Sequence, residues 1–201
     1  MNTSCIEEKS QIRREMRARR AALTPEENSI ASSVICKKLM QAIEEHGSHF
    51  SREGKAVCVY LASPKELDLS NFILPLLERN IKVLSPQWNG KTYSLAEIKS
   101  LQAHDLRTGP MGILEPAQEE EISPSEVGAW IIPALALTTS GKRLGYGGGW
   151  YDRLLAQANK DALKIGVAHD FQVVSDLPSE PHDILLDAVI DTKDLYFFRR
   201  S

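Results

Sequence analysis

Short, almost unbroken apolar runs recur along this chain, and most are separated by stretches whose apolar residues return at helical spacing. Val57-Cys-Val-Tyr-Leu61, Ile81-Lys-Val-Leu84, Ala129-Trp-Ile-Ile-Pro133, Lys164-Ile-Gly-Val-Ala168 and Ala188-Val-Ile190 are too short for ordinary helices. They lack the alternation of a strand with one wet face, and fit strands covered on both sides. Between the first two, Leu69, Phe72, Ile73, Leu76 and Leu77 mark a helix that Pro75 should kink and Asn80 should close in the left-handed conformation. A crossover of that length makes neighbouring strands parallel, with a right-handed connection. The pattern predicts one three-layer α/β domain over residues 1–201, a mostly parallel sheet flanked by helices.

Ahead of the first strand, residues 6–23 read as a basic helix. Ile12, Met16 and Leu23 fall on one narrow stripe, and Lys9, Arg13, Arg17 and Arg20 on the adjoining one. A solvated face is the simplest account of such a charge run, and a grip on polyphosphate is the functional one. Thr24-Pro25-Glu26-Glu27 then supplies an N-cap, a proline at the first helical position and a capping box. The second helix should reach about Glu45, with Ala31, Ile35, Leu39 and Ala42 inward. Asn89-Gly90 signals a turn that returns Thr92 to Ala96 as a short antiparallel strand. From Glu97 to Ser125 no period is sustained, and a long surface excursion is expected. Leu195 to Phe198 should form an edge strand or a tail.

Charge narrows the function. A net charge of −3 and a pI near 6.0 exclude the broad basic face that nucleic-acid binding needs, so any anion site must be local. Cys5, Cys36 and Cys58 are widely spaced, without a CxxC pair, which argues against a disulfide frame or zinc site and for a reducing cytoplasm. No apolar run approaches the roughly 18 residues of a membrane span. A cytoplasmic protein without membrane or nucleic-acid partners is expected.

The local anion site has an obvious candidate. After the run ending at Leu137 come glycines at 145, 147, 148 and 149, then Trp150, Leu154, Leu155 and Ala158 at helical spacing. Strand, glycine loop and helix together gather backbone N–H groups that can cradle a phosphate, and Arg143, with Lys142 beside it, adds fixed positive charge. An ordinary mobile loop would have the same glycines. Neither a P-loop nor the full dinucleotide fingerprint fits. Glu66 and His169-Asp170 also follow strand ends, where ligands of such sheets collect, so all three should share one crevice.

Arg143-Leu-Gly-Tyr-Gly-Gly-Gly-Trp-Tyr-Asp152, preceded by Pro133, with Lys9-Ser-Gln-Ile-Arg13, Glu66-Leu-Asp68, Gly112-Ile-Leu-Glu-Pro116 and Leu186-Asp187-Ala-Val189, resembles the 5-formyltetrahydrofolate cyclo-ligase family in order and approximate spacing. The resemblance implies a fold of the sugar-phosphate isomerase and CoA-transferase type. It also implies an ATP- and Mg²⁺-dependent cyclisation of 5-formyltetrahydrofolate to 5,10-methenyltetrahydrofolate, with release of ADP and phosphate, by a monomer. By the same resemblance Lys9, Ser10, Gln11, Ile12 and Arg13 would bind ATP together with Arg143, Leu144, Gly145, Tyr146, Gly147, Gly148, Gly149, Trp150 and Tyr151, Arg143 being the catalytic cation. Leu61 and Glu66 would hold the reduced folate, residues 146–151 would touch its formyl end, and Asp152 and Asp187 would hold Mg²⁺. Without the metal, Asp152 is a carboxylate in a first helical turn and Asp187 a polar residue at a strand start. Trp150 stands where many members carry tyrosine, and the segment after Gly90 diverges. Trp88 and Tyr93 could stack on a pterin, but packing is the favoured reading. Two other functions remain compatible with such a fold: an enzyme of sugar phosphates or CoA esters, which would need no ATP, and a nucleotide or folate binder without turnover.

Overall fold

The computed structural model describes residues 3–50, 55–118, 120–180 and 183–198. Two helices come first, α1 (Thr3–Ala22) and α2 (Pro25–Phe50). Between them the Thr24 hydroxyl accepts the Glu27 N–H at 3.1 Å while a Glu27 carboxylate oxygen accepts the Thr24 N–H at 2.8 Å, the reciprocal cap that the sequence predicts. α2 outruns the expected end at Glu45, passing through Gly47 to Phe50. One internal glycine costs a helix only about 1 kcal/mol, too little to stop it.

The chain then forms β1 (Ala56–Cys58), α3 (Ser70–Glu78), β2 (Val83–Trp88), β3 (Tyr93–Glu97), β4 (Leu106–Thr108), β5 (Leu114–Pro116) and β6 (Val127–Pro133). After these come β7 (Ala136–Thr138), β8 (Arg143–Leu144), α4 (Trp150–Leu155), β9 (Leu163–Val167), β10 (Val173–Val174), β11 (Ala188–Ile190) and β12 (Leu195–Phe197). The main sheet has seven strands in the order β12-β11-β9-β6-β1-β2-β3. Its inner pairings are parallel, and the edge strands β3 and β12 are antiparallel. Asn80 takes φ 56° after α3, as expected, while Pro75 sits inside that helix.

Side-chain alternation explains why the strand runs are so apolar. Val57, Val59, Ile131, Ile165 and Ile190 face α2 and α3, whereas Ala56, Cys58, Trp130, Ile132 and Val189 face the other way. That second face is covered by the short α4 and by loops that fold over the sheet. A helix layer on both sides is therefore realised fully on one side only. A small sheet ordered β10-β7-β8 lies beside the main one, and on it rests α1, with Met16 packed among Leu135, Leu144 and Leu177.

The segment after Glu97 is less irregular than its sequence suggests. β4 and β5 pair as a hairpin, and Ile122 bridges to Leu95. Glu115, almost fully buried, accepts from Arg107 Nε and from the Trp88 N–H, each at 2.9 Å. Strands of three residues cannot display a period, so their pairing is set by these polar contacts. Among the described residues no helix is long and apolar enough to cross a membrane.

Candidate active site

The crevice forms where β1, β6 and β9 end. The loop after β8 carries Gly145 to Gly149, with Gly147 at φ 105° and Gly149 at φ 64°, conformations that strain any side chain. Gly149 starts α4, which stops at Leu155 instead of continuing past Ala158. So short a helix offers little macrodipole, and side-chain cations must carry the positive potential.

Those cations come from α1. Arg13 Nε donates to the Gly145 carbonyl at 3.0 Å, and Arg17 Nη2 donates to the Tyr146 carbonyl at 3.3 Å. A Cβ on Gly147 would stand 3.5 Å from the Arg13 guanidinium carbon. Burial, with Arg17 alongside, lowers the pKa of Arg13, the mark of positive charge crowded together and ready for an anion. Arg13, Arg14, Arg17, Ser10 and Tyr146 line an open groove of about 410 Å³. Lys9 lies on the same helix but is engaged: its ammonium donates to Glu180 at 2.9 Å and Asp183 at 2.8 Å. Burial alone would depress the Lys9 pKa, yet the two carboxylates outweigh it and raise the value.

On the far wall of the loop, the Arg143 side chain is 5% exposed and Nη2 donates to Asp152 Oδ1 at 2.8 Å. Its Nε and the neighbouring Tyr151 hydroxyl are buried with no hydrogen-bond partner. Unsatisfied donors of this kind cost about 1–3 kcal/mol each, which a bound group with acceptor oxygens would recover. Asp187 Oδ2 accepts the Lys164 N–H at 2.8 Å, and the preceding Leu186 N–H donates to Gly141 at 2.9 Å. The Asp152 and Asp187 side chains are partly exposed, 27% and 33%. Among the described residues there is no preassembled cluster of three or more His, Cys, Asp or Glu. Asp152 is engaged by Arg143 beside the glycine loop, and Asp187 by the Lys164 N–H at the start of β9; each is the kind of partly exposed carboxylate that Mg²⁺ takes.

The folate candidate is joined directly to the glycine loop. The Tyr146 hydroxyl donates to Glu66 Oε1 at 2.6 Å and accepts from Arg20 Nη1. Glu66 Oε2 accepts from Ser63 through both N–H, at 2.8 Å, and hydroxyl, at 2.5 Å. Burial and the Glu66 charge hold the Tyr146 pKa far above its ordinary value, so the phenol stays a neutral donor. Leu61 is half-buried at the edge of the α2 and α3 core. His169 shares a cavity with Glu66, and its Nε2 meets Asn28 Oδ1 at 3.2 Å. Asn28 also donates to the Glu66 carbonyl at 2.9 Å. The expected gathering is thus present for Glu66, the glycine loop and His169, whereas the Asp170 carboxylate pairs with Lys193 at 2.6 Å. Trp88, Tyr93 and Trp150 pack edge-on against one another, with ring centroids 5.1–5.5 Å apart.

Arg20 and Asn28 were not singled out as site residues by sequence reading. Arg20 showed only as one member of a basic stripe, and Asn28 carried no signal beyond a position near a helix start.

The sequence profile of the 5-formyltetrahydrofolate cyclo-ligase family matches residues 5–192. A 5-formyltetrahydrofolate cyclo-ligase of Haemophilus influenzae is 30% identical over 190 residues, covering 92% of this chain and 97% of its own. That of Escherichia coli K12 is 32% identical over 181 residues, covering 87% and 95%. The solution structure of Aquifex aeolicus 5,10-methenyltetrahydrofolate synthetase superposes with a TM-score of 0.81 at 30% identity, covering 96% of this chain and 94% of that one. Profile, relatives and backbone agree with one another, and the chain belongs to the 5-formyltetrahydrofolate cyclo-ligase family.

Proposed function

We propose that this chain performs its family's reaction, the ATP-dependent cyclisation of 5-formyltetrahydrofolate to 5,10-methenyltetrahydrofolate, through the residues gathered around the glycine loop. The observation that carries this reading is the junction at Tyr146. Its carbonyl is held by an α1 arginine and its hydroxyl by Glu66, so phosphate-binding and pterin-binding groups lie within one side chain's length.

The formamide oxygen is a poor leaving group. ATP transfers its γ-phosphoryl to that oxygen and leaves as ADP; N10 then attacks the activated formyl carbon, and the C–O bond breaks to release phosphate. Such chemistry asks a protein for alignment and charge neutralisation, not a covalent nucleophile. Arg13, Arg17 and the loop amides would hold the triphosphate, and Arg143 would face the transferred group, where its unpaired Nε–H can donate to a phosphoryl oxygen. Glu66 would receive the donor-rich edge of the pterin, as acidic side chains read donor edges of bases. Mg²⁺, held by Asp152 and Asp187, would neutralise phosphate charge. Lys9 would reach ATP only after leaving Glu180 and Asp183; in its present contacts it fastens α1 to the body. A cytoplasmic monomer completes the reading.

Mixing the purified chain with 5-formyltetrahydrofolate, Mg²⁺ and ATP should generate the methenyl chromophore, with stoichiometric ADP and phosphate. Omitting ATP should abolish it. A folded preparation that binds neither substrate and forms no product would refute the assignment.

A further inference from the structure

Glu66 is almost closed off. The cavity beside it measures about 10 Å³, room for one water at most and far too little for a bicyclic pterin. Something must move before a ligand can reach the carboxylate. Most of the walls are poor candidates: Tyr60 is buried with its hydroxyl on the Leu67 carbonyl at 2.9 Å, and Gln172 is tied to Ala134 and Leu135 at 3.0 and 2.8 Å. His169 is 4% exposed and stacked on Phe171. Tyr146, which is not a wall of that cavity but covers Glu66 Oε1 from the groove side, differs from all of them. It is 42% exposed, lines the open arginine groove on one side and caps Glu66 on the other, and stands between Gly145 and the positive-φ Gly147. Two flanking glycines let its backbone turn at little steric cost.

The hydrogen-bond inventory gives the same answer. A carboxylate has about four acceptor positions. Ser63 takes two on Oε2 and Tyr146 one on Oε1, so a ligand edge with paired N–H donors finds a single position left. The Ser63 contacts close a local turn, three residues from Glu66, and belong to the carboxylate's own setting. Tyr146 reaches in from elsewhere and can be exchanged.

We propose that Tyr146 is an internal gate on Glu66: its hydroxyl holds the place of one pterin donor, and folate enters by displacing it. Because the gate is part of the glycine loop, displacement also frees the loop that faces ATP, and the two substrates are coupled through this contact. Arg20 sets the strength of the latch as a positioning residue. It is 6% exposed, its Nε is fixed on the Lys65 carbonyl at 2.9 Å, and its Nη1 holds the phenol oxygen. The inference rests on the folate assignment of Glu66, and the experiment separates the two.

Calorimetric titration of 5-formyltetrahydrofolate, without nucleotide, into wild-type chain and Tyr146→Phe tests it. Removing a hydrogen bond to a charged acceptor that the ligand must otherwise break should tighten folate binding about tenfold. Arg20→Lys, which loosens the phenol from the other side, should act in the same direction and less strongly. Titrating a non-hydrolysable ATP analogue with and without folate should reveal a coupling factor in the wild type that falls toward one in Tyr146→Phe, since coupling is reciprocal. Folate affinity unchanged or weakened in Tyr146→Phe overturns the gate and makes the phenol an ordinary ligand contact. Tyr146→Met serves as a second hydroxyl-free variant if the first fails to fold. If the wild type neither binds folate nor turns over, the reading of Glu66 fails along with the gate; if it does both and the variants do not tighten, only the gate fails.

Discussion

Replacing His169 by Gln should flatten the acid sensitivity of the fold. Burial, with the nearby Arg20 charge, pushes the His169 pKa from an ordinary 6.5 down to about 4, despite the opposing pull of Asp170. The ring is therefore neutral in the folded chain at pH 7, and because Asn28 gives its amide hydrogens to Glu66, its Oδ1 is left to accept from His169 Nε2–H. The sign follows from linkage. Above pH 6.5 neither state binds the proton; below it the unfolded chain does and the folded one does not, so stability falls until about pH 4, where both are protonated. A displacement from 6.5 to about 4 corresponds to about 3 kcal/mol in full, of which about 2 kcal/mol is lost by pH 5. Glutamine cannot titrate and still offers Asn28 a donor. Urea unfolding at pH 7 and pH 5 should show the wild type losing about 2 kcal/mol more than His169→Gln, or about 1 M in midpoint at an ordinary urea slope. Carboxylates that titrate in both proteins cancel in that difference. Equal losses would mean that His169 is protonated in the fold and that the neutral, Asn28-bound ring is wrong.

Arg143→Ala should lower kcat at least ~100-fold, as loss of a preorganised charge at a developing negative centre usually does, and near-normal steady-state turnover would remove Arg143 from the chemistry. Glu66→Gln should raise the folate dissociation constant while leaving that of ATP nearly unchanged; equal folate affinity by calorimetry would contradict its role. Lys9→Met leaves Glu180 and Asp183 facing each other without their cation, and should cost about 2–3 kcal/mol in urea unfolding, somewhat below the range for fully buried pairs because both acids are 21% exposed. Wild-type stability in that variant would mean that the pair adds nothing. The raised Lys9 pKa makes its own contribution complete below pH 10.5 and lost only as pH climbs through the higher folded value.

What could be read from the string of residues was whatever leaves a local trace. Two-sided burial makes Val57–Leu61 and Ala129–Pro133 continuously apolar, and a crossover with Asn80 at its end fixes the parallel neighbour. Glycines 147 and 149 announce positive φ before any coordinates exist. The capping box at Thr24 is equally local. By contrast β7 and β8 are too brief to alternate, so the small sheet that seats α1 had no sequence signature. Periodicity placed Arg20 on a face of a helix but could not name a partner 126 residues away, and nothing adjacent to Glu66 pointed to Tyr146, 80 residues further on. The basic stripe and the resemblance marked Lys9 as an ATP contact, but its acidic partners, 171 and 174 residues downstream, left no local trace.

The seating of α1 has a consequence for biosynthesis. This helix is the first described element to leave the ribosome, yet apart from Lys65 its polar anchors are Gly145, Tyr146, Phe171, Glu180 and Asp183, and its apolar seat includes Leu177. Translation proceeds at about 5–20 residues per second, so the helix must wait many seconds, solvated and cationic, before its dock exists. A chain arrested before residue 180 would carry most of the parallel sheet and the acceptors of the α1 arginines, yet would lack both carboxylates that hold Lys9. The Lys9 clasp should consequently close last, locking in place a helix whose arginines are already docked.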